Sequence, residues 1–232
     1  QGDIGSNGSV PDQLWYNDAS GGLTFGGFQP DNFATADVAF ADMDGDGDLD
    51  AVVTGIAQGT FVHGPGYTSA YQAQTRVLFN DGDGSFSDHG VTLAGFGGFT
   101  VELADLDGDG DIDIVVGDGT FGGGFGPGSF GPEAYSNAQL GVLLNDGDGS
   151  GFETAYAFSG RAFDVEIADV DGDGDLDVVV TSQNYGIYVL ENYGPRGFDY
   201  RSIEGVATFG AAIAVGDIDG DGDADIVVAG YD

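Results

Sequence analysis

The sequence predicts an all-β protein built from a repeated unit of four antiparallel strands, and three observations carry that prediction. A nine-residue acidic phrase returns four times: DMDGDGDLD at 42 to 50, DLDGDGDID at 105 to 113, DVDGDGDLD at 169 to 177 and DIDGDGDAD at 217 to 225. Each copy follows an apolar stretch that alternates at period two and precedes a short run rich in valine and isoleucine. These are the patterns of half-buried and buried strands. A second phrase supplies another strand, a glycine-bearing turn and an aromatic that opens a further strand; it reads RVLFNDGDGSF at 76 to 86, GVLLNDGDGSGF at 141 to 152 and YVLENYGPRGF at 188 to 198.

Taken in order, the first strand of each unit is DVAFADM, FTVELADL, FDVEIADV or AAIAVGDI, and the second is LDAVVTG, IDIVVGD, LDVVVTS or ADIVVAG. The acidic phrase between them is therefore a strand-to-strand turn. The third and fourth strands come from the second phrase, of which LWYNDASGGLTF at 14 to 25 is a looser copy. Four antiparallel strands per repeat is the make-up of a β-propeller blade.

The acidic turn has the chemistry of a calcium loop. Alternate aspartates set Asp42, Asp44 and Asp46 on one side of a tight turn, Asp48 stands where such loops offer a main-chain carbonyl, and Asp50 closes the ring from the next strand. A hard cation that takes several oxygens at about 2.3 to 2.6 Å fits this donor set. The glycines between the acids permit the positive φ that curls the chain. The equivalent residues are Asp105, Asp107, Asp109, Asp111 and Asp113; Asp169, Asp171, Asp173, Asp175 and Asp177; and Asp217, Asp219, Asp221, Asp223 and Asp225. An EF-hand loop shares the opening but needs glutamate at position twelve and flanking helices. Here that position is Val53, Val116, Val180 or Val228.

The aspartate phrase followed by a valine run and L-x-N-D-G-D-G-x-F resembles the FG-GAP and VCBS repeat families, the calcium-loop blades of integrin α-subunit propellers and of many secreted bacterial proteins and lectins. The resemblance extends over nearly all of residues 14 to 232. It implies that about four calcium ions are structural and that binding carbohydrate or protein is the usual role. It names no ligand, because such blades are scaffolds for different sites.

The acidic phrases begin 63, 64 and 48 residues apart, and the chain opens with the second half of a unit and stops after the first half of one. Joining strands at about 211 to 230 to those at about 13 to 28 gives a fourth blade from both ends, so the expected fold is a small propeller of four blades closed by its N- and C-terminal strands. Residues 1 to 12 then form an extension and 13 to 232 one domain. Pairing of the two half-blades with neighbouring copies, or a longer repeat protein, are the alternatives.

Forty acidic against four basic residues give a formal charge of −36. That surface repels nucleic acid and anionic membranes, which excludes both as expected partners. The twenty loop aspartates are half of the acids, so metal binding accounts for only part of the excess. Zero cysteines exclude a disulfide framework, and no apolar run reaches the length of a membrane span. Calcium modules of low affinity suit the outside of the cell, and a first residue of Gln1 fits a processed secreted chain or a trimmed one. Asn7-Gly8-Ser9 matches a glycosylation sequon, a short pattern.

Function is expected where the repeats differ. Between second and third strands the first two units insert GIAQGTFVHGPGYTSAYQAQT and GDGTFGGGFGPGSFGPEAYSNAQ, whereas the third has a short link at 182 to 186. Both insertions carry GTF, then GPG, then an Ala-Tyr pair. Phe61, His63, Tyr67 and Tyr71 from one, and Phe121, Phe125, Phe130 and Tyr135 from the other, form a candidate aromatic wall on the face opposite the metal loops. It suits stacking on sugar rings or docking on a protein, and folding back over the core is the alternative. A structural subunit of an extracellular fibre or surface layer is the second functional reading. A polysaccharide lyase or hydrolase is the third: nothing pairs His63 or His89 with a nucleophile, and the recurrence of Glu102 and Glu166 at one strand position reads as scaffold.

Overall fold

A computed structural model of the chain describes residues 12–26, 33–57, 72–89, 91–94, 98–117, 140–158, 161–182, 186–194, 197–203 and 209–231. Three antiparallel sheets of the expected order follow one another along it. The first runs β3 (Phe33–Ala41), β4 (Asp50–Ala57), β5 (Gln72–Asn80), β6 (Phe86–Ser87), with β7 (Thr92–Ala94) also paired to β5. The second holds β8 (Thr100–Ala104), β9 (Asp113–Gly117), β10 (Leu140–Asn145) and β11 (Phe152–Phe158). The third holds β12 (Ala162–Ala168), β13 (Asp177–Ser182), β14 (Gly186–Asn192) and β15 (Phe198–Ser202). Within each sheet, β7 apart, every strand after the first pairs with its predecessor in the chain, and the acidic phrase joins the first strand of each sheet to its second.

Two shorter sheets stand at the ends. Near the N-terminus β1 (Trp15–Asn17) pairs with β2 (Leu23–Phe25), and near the C-terminus β16 (Phe209–Gly216) pairs with β17 (Asp225–Tyr231). The sequence placed these four strands in one sheet; in the structure they are two separate two-stranded sheets. Each pair packs against a different neighbour. Leu14, just before β1, packs with Phe33, Ala51, Val53 and Leu78 of the first sheet. Ile213, Val215, Ile226 and Val228 pack on Val179, Ile187 and Val189 of the third.

The core lies between successive sheets, and strand periodicity explains how. On β9, Ile114 and Val116 face the first sheet in one cluster while Val115 faces the third in another. On β13, Val178 and Val180 face the second sheet and Val179 faces β16 and β17. Because both faces are covered, the second strand of each sheet reads as an unbroken valine or isoleucine run rather than an alternating one. Full burial of each such side chain stabilises the fold by about 1.5 to 3 kcal/mol.

The first strands alternate instead, and three of them carry a bulge at an equivalent place: between Thr35 and Asp37, between Ala162 and Asp164, and between Gly210 and Ala212. A bulge re-aims the next side chain. Asp37 uses this to accept a hydrogen bond from the Val101 N–H at 3.0 Å, and Asp164 from the Ile213 N–H at 2.8 Å, so each carboxylate ties its sheet to the next.

Candidate metal centres

Each acidic loop is held open by backbone geometry that its glycines supply. Gly45 and Gly47 have φ of 75° and 97°, and the pairs at 108 and 110, 172 and 174, and 220 and 222 repeat those values within a few degrees. The left-handed region is costly for other residues. In the second loop Asp105 accepts from the N–H groups of Gly108 at 2.8 Å and Gly110 at 3.1 Å. Asp107 accepts from Asp109 N–H at 3.2 Å, and Asp109 from Asp111 N–H at 3.0 Å. The third and fourth loops repeat this pattern.

In all four loops the structure brings together the first, third and ninth positions. Asp42, Asp44 and Asp50 each offer an oxygen within 4.8 Å of the others, as do Asp105, Asp107 and Asp113; Asp169, Asp171 and Asp177; and Asp217, Asp219 and Asp225. The fifth and seventh positions, Asp46 and Asp48 and their equivalents, lie outside these triads. Asp48 turns instead toward the following turn, where its Oδ2 lies 2.8 Å from the place a Cβ on Gly82 would occupy; Asp111 does the same at Gly147, at 2.7 Å.

The ninth residue is the anchor. Asp50 is fully buried, and its two oxygens accept from Met43 N–H and Asn80 N–H, each at 2.8 Å. Asp113 accepts from Leu106 and Asn145, both at 2.8 Å, and Asp177 from Val170 at 2.9 Å and Asn192 at 2.8 Å. Burial is the largest influence on their protonation. It raises Asp50 and Asp177 above the ordinary carboxylate range and Asp113 to about 6, the backbone donors opposing and the neighbouring loop aspartates adding to the rise.

These triads fit a hard divalent cation. Two oxygens bound to one ion at about 2.4 Å can lie at most about 4.8 Å apart, and the oxygens of each triad lie within 4.8 Å of one another. Every side-chain donor is a carboxylate oxygen, without the nitrogen or sulfur that zinc favours. Asp42 Oδ1 is buried without a hydrogen-bond partner among the described residues, and a carboxylate oxygen in that state needs a counter-charge.

The sequence reading missed the asparagine that precedes each NDGDG-type turn. Asn145 donates its side-chain amide to the main-chain oxygens of Ile112 at 3.1 Å and of Met43 at 2.9 Å, and its Oδ1 accepts from Gly147 and Gly149. Asn192 repeats this toward Leu176 and Leu106. One residue thus ties a loop anchor, a tight turn and the metal loop of the preceding sheet. The recurrence of Asn at 80, 145 and 192 was the available signal.

Glu102 and Glu166 lie on β8 and β12. Burial, and then the charges of Glu166, Asp37 and Asp164, push Glu102 up to about 7; burial and Asp164 also raise Glu166. His89 Nε2 lies 2.9 Å from Ser87 Oγ, and Asp81 accepts from that serine. The aromatic residues proposed for a wall, Phe61, His63, Tyr67, Tyr71, Phe121, Phe125, Phe130 and Tyr135, lie outside the described residues.

No curated protein matches the chain. A family model described as an FG-GAP-like repeat matches residues 67–116, which include the second acidic loop, and 169–228, which include the third and fourth. With the loop repeated four times and the sheet order repeated three times, the chain is similar to FG-GAP-like repeats over those two regions.

Proposed function

We propose that the chain is an extracellular, calcium-stabilised β-propeller of four blades that serves as a binding module for carbohydrate or protein. The observation that carries this reading is the fourfold carboxylate triad, built on hairpins that join the first two strands of each blade. Calcium suits it better than magnesium, which demands a smaller, near-octahedral shell. A strongly acidic surface and the absence, among the described residues, of a helix long and apolar enough to cross a membrane agree with an exported calcium module.

In this reading calcium rigidifies the blades, and the ligand meets the two elaborated insertions, where Tyr67, Tyr71, Phe125 and Tyr135 are the contact residues. A glycan array and a pull-down with the calcium-loaded chain test it. Replacing those four residues by alanine should abolish binding while calcium-dependent melting stays unchanged. Loss of folding in the variant would assign the aromatics to the loop core instead, and retained binding would remove them from the site.

A second reading, a subunit of an extracellular fibre, draws on the two ends. Val227 on β17 and Ile218 are more than half exposed at one end, and Val38, Phe40 and Leu49 are exposed at the other. An uncovered valine-rich edge invites strand addition. Filaments in electron micrographs of the calcium-loaded protein would favour this reading over the monomeric module.

A further inference from the structure

The three complete sheets are joined by one repeated set of contacts, and the two end sheets each possess half of it. At every joint, a valine or isoleucine of the first strand packs back on the preceding sheet: Val101, Val165 and Ile213 are at most 6 % exposed. Their counterpart Val38 is 41 % exposed, and Phe40 and Leu49 beside it are 46 and 58 % exposed. The residue after the first loop aspartate packs forward on the following sheet, as Met43, Leu106 and Val170 do. Its counterpart Ile218 is 65 % exposed. Val52, Val115 and Val179 also face forward and are fully buried, whereas Val227 is 52 % exposed.

The hydrogen bonds show the same deficit. Asp50, Asp113 and Asp177 each accept from the N–H of the asparagine that ends the third strand. Asp225 accepts only from Ile218 N–H, at 2.9 Å, and its other oxygen has no donor among the described residues. Asn80 donates to Leu49 O within its own sheet but lacks the bond to a preceding loop that Asn145 and Asn192 make.

The N-terminal hairpin is already placed as the missing half. A Cβ on Gly149 would meet the Phe79 ring of the preceding sheet, and a Cβ on Gly84, its counterpart, would meet the Tyr16 ring, whose hydroxyl also donates to Gly84 O. Phe79 and Tyr16 each stand immediately before an asparagine. Asn17 Oδ1 accepts from Ala19 N–H at 3.1 Å, as Asn80 Oδ1 accepts from Gly82 and Asn145 Oδ1 from Gly147. Ala19 has φ of 63°, the left-handed conformation of those glycines.

We propose that β1 docks on β17 of the same chain and that Asn17 closes the fourth metal loop, its N–H on the second oxygen of Asp225 and its amide on the main-chain oxygens of Ala224 and Val170. This rests on the four-blade, metal-loaded reading above. Transferring the pairing of Val52 with Val77 and of Val115 with Val142 sets Leu14 opposite Val227 and Trp15 opposite Ile226. Leu14 and Val227 then share the face that meets Ala51 and Val53. Asn80 gains Ile218 O. The occupant is the chain's own hairpin because that hairpin already sits on the first sheet, so docking is intramolecular and enjoys a high effective concentration. An anchor carboxylate lacking one of its two orienting donors is a poorer ligand. Calcium in the fourth loop and docking of the hairpin therefore favour each other reciprocally.

The chain has no cysteine, so the variant Leu14→Cys with Val227→Cys can form one disulfide only. Oxidised in calcium, it should yield a monomer with an internal bond, formed at least ten times faster than in excess chelator. A bond between chains would replace the intramolecular closure by a shared-strand polymer, and absence of any bond would overturn the pairing. An internal bond formed at the same rate in chelator would retain the pairing and overturn the calcium reading. In the otherwise native chain, Asn17→Ala should weaken one of four calcium sites about tenfold in an equilibrium titration. Four unaltered sites would remove Asn17 from the fourth loop.

Discussion

The side-chain amide of Asn145 donates to the main-chain oxygen of Met43, 102 residues earlier, at 2.9 Å. The same asparagine gives its own N–H to the anchor carboxylate of Asp113. A metal loop, a tight turn and a joint between sheets are thus one cooperative unit, and perturbing any of the three should be felt by the others.

Asn145→Ala removes two amide bonds and leaves buried carbonyl oxygens unpaired. It should destabilise the protein by about 2 to 4 kcal/mol in chemical denaturation. Asn80→Ala should cost less while the ends are apart, since the Asn80 amide makes one such bond where Asn145 makes two. With calcium chelated, equal costs for the two variants would count against the joint between sheets as the source of the difference.

Chelation of calcium should lower the melting temperature by roughly 10 °C or more, because an ion that binds only the folded state stabilises it by mass action at each site. Magnesium at the same concentration should restore only a fraction of the loss. Differential scanning calorimetry in chelator, calcium and magnesium checks this.

Glu102 has a folded pKa near 7 against an ordinary 4.5, because burial and neighbouring carboxylates disfavour its charge. The folded state therefore holds the proton more tightly than the unfolded one, and stability falls as pH rises from about 4.5 through 7. Glu102→Gln removes that penalty. The variant should gain roughly 1 to 2 kcal/mol over the parent at pH 8, after discounting for partial exposure, and nothing at pH 4.5. A gain independent of pH would point to packing rather than charge.

Ala19 and Gly174 test the turn geometry in opposite directions. Ala19 has φ of 63° and Gly174 of 99°, and among the described residues nothing lies within 4 Å of the place a Cβ on Gly174 would occupy. Ala19→Gly should stabilise by about 0.5 to 1 kcal/mol, and Gly174→Ala should destabilise by about 1 kcal/mol through the backbone alone. Thermal denaturation of both variants measures this.

The strand order of each sheet and the place of the metal loops were legible in the sequence because both depend on local regularities. Alternation before the loop and a valine run after it report which faces are covered, and the Asp-Gly spacing dictates the turn. Positions one, three and nine of each loop meet as their spacing suggested. The pattern grouped Asp46 with Asp42 and Asp44 and set Asp48 in the place of a main-chain carbonyl; both lie outside the triads, and the direction in which each turns depends on the hydrogen bonds and the adjacent turn that surround them.

By itself the sequence determined the repeating unit, the hairpin topology and four carboxylate clusters, all of which arise from contacts between residues close along the chain. Tertiary structure decided which faces remain uncovered. The bonds from Asn145 to Met43 and from Asn192 to Leu106 span 102 and 86 residues, and nothing local announces them. The same holds at the ends. Val38 and Val101 read alike as strand residues, yet one is exposed and the other buried, because burial depends on the presence of a preceding sheet and not on the residue's own neighbours.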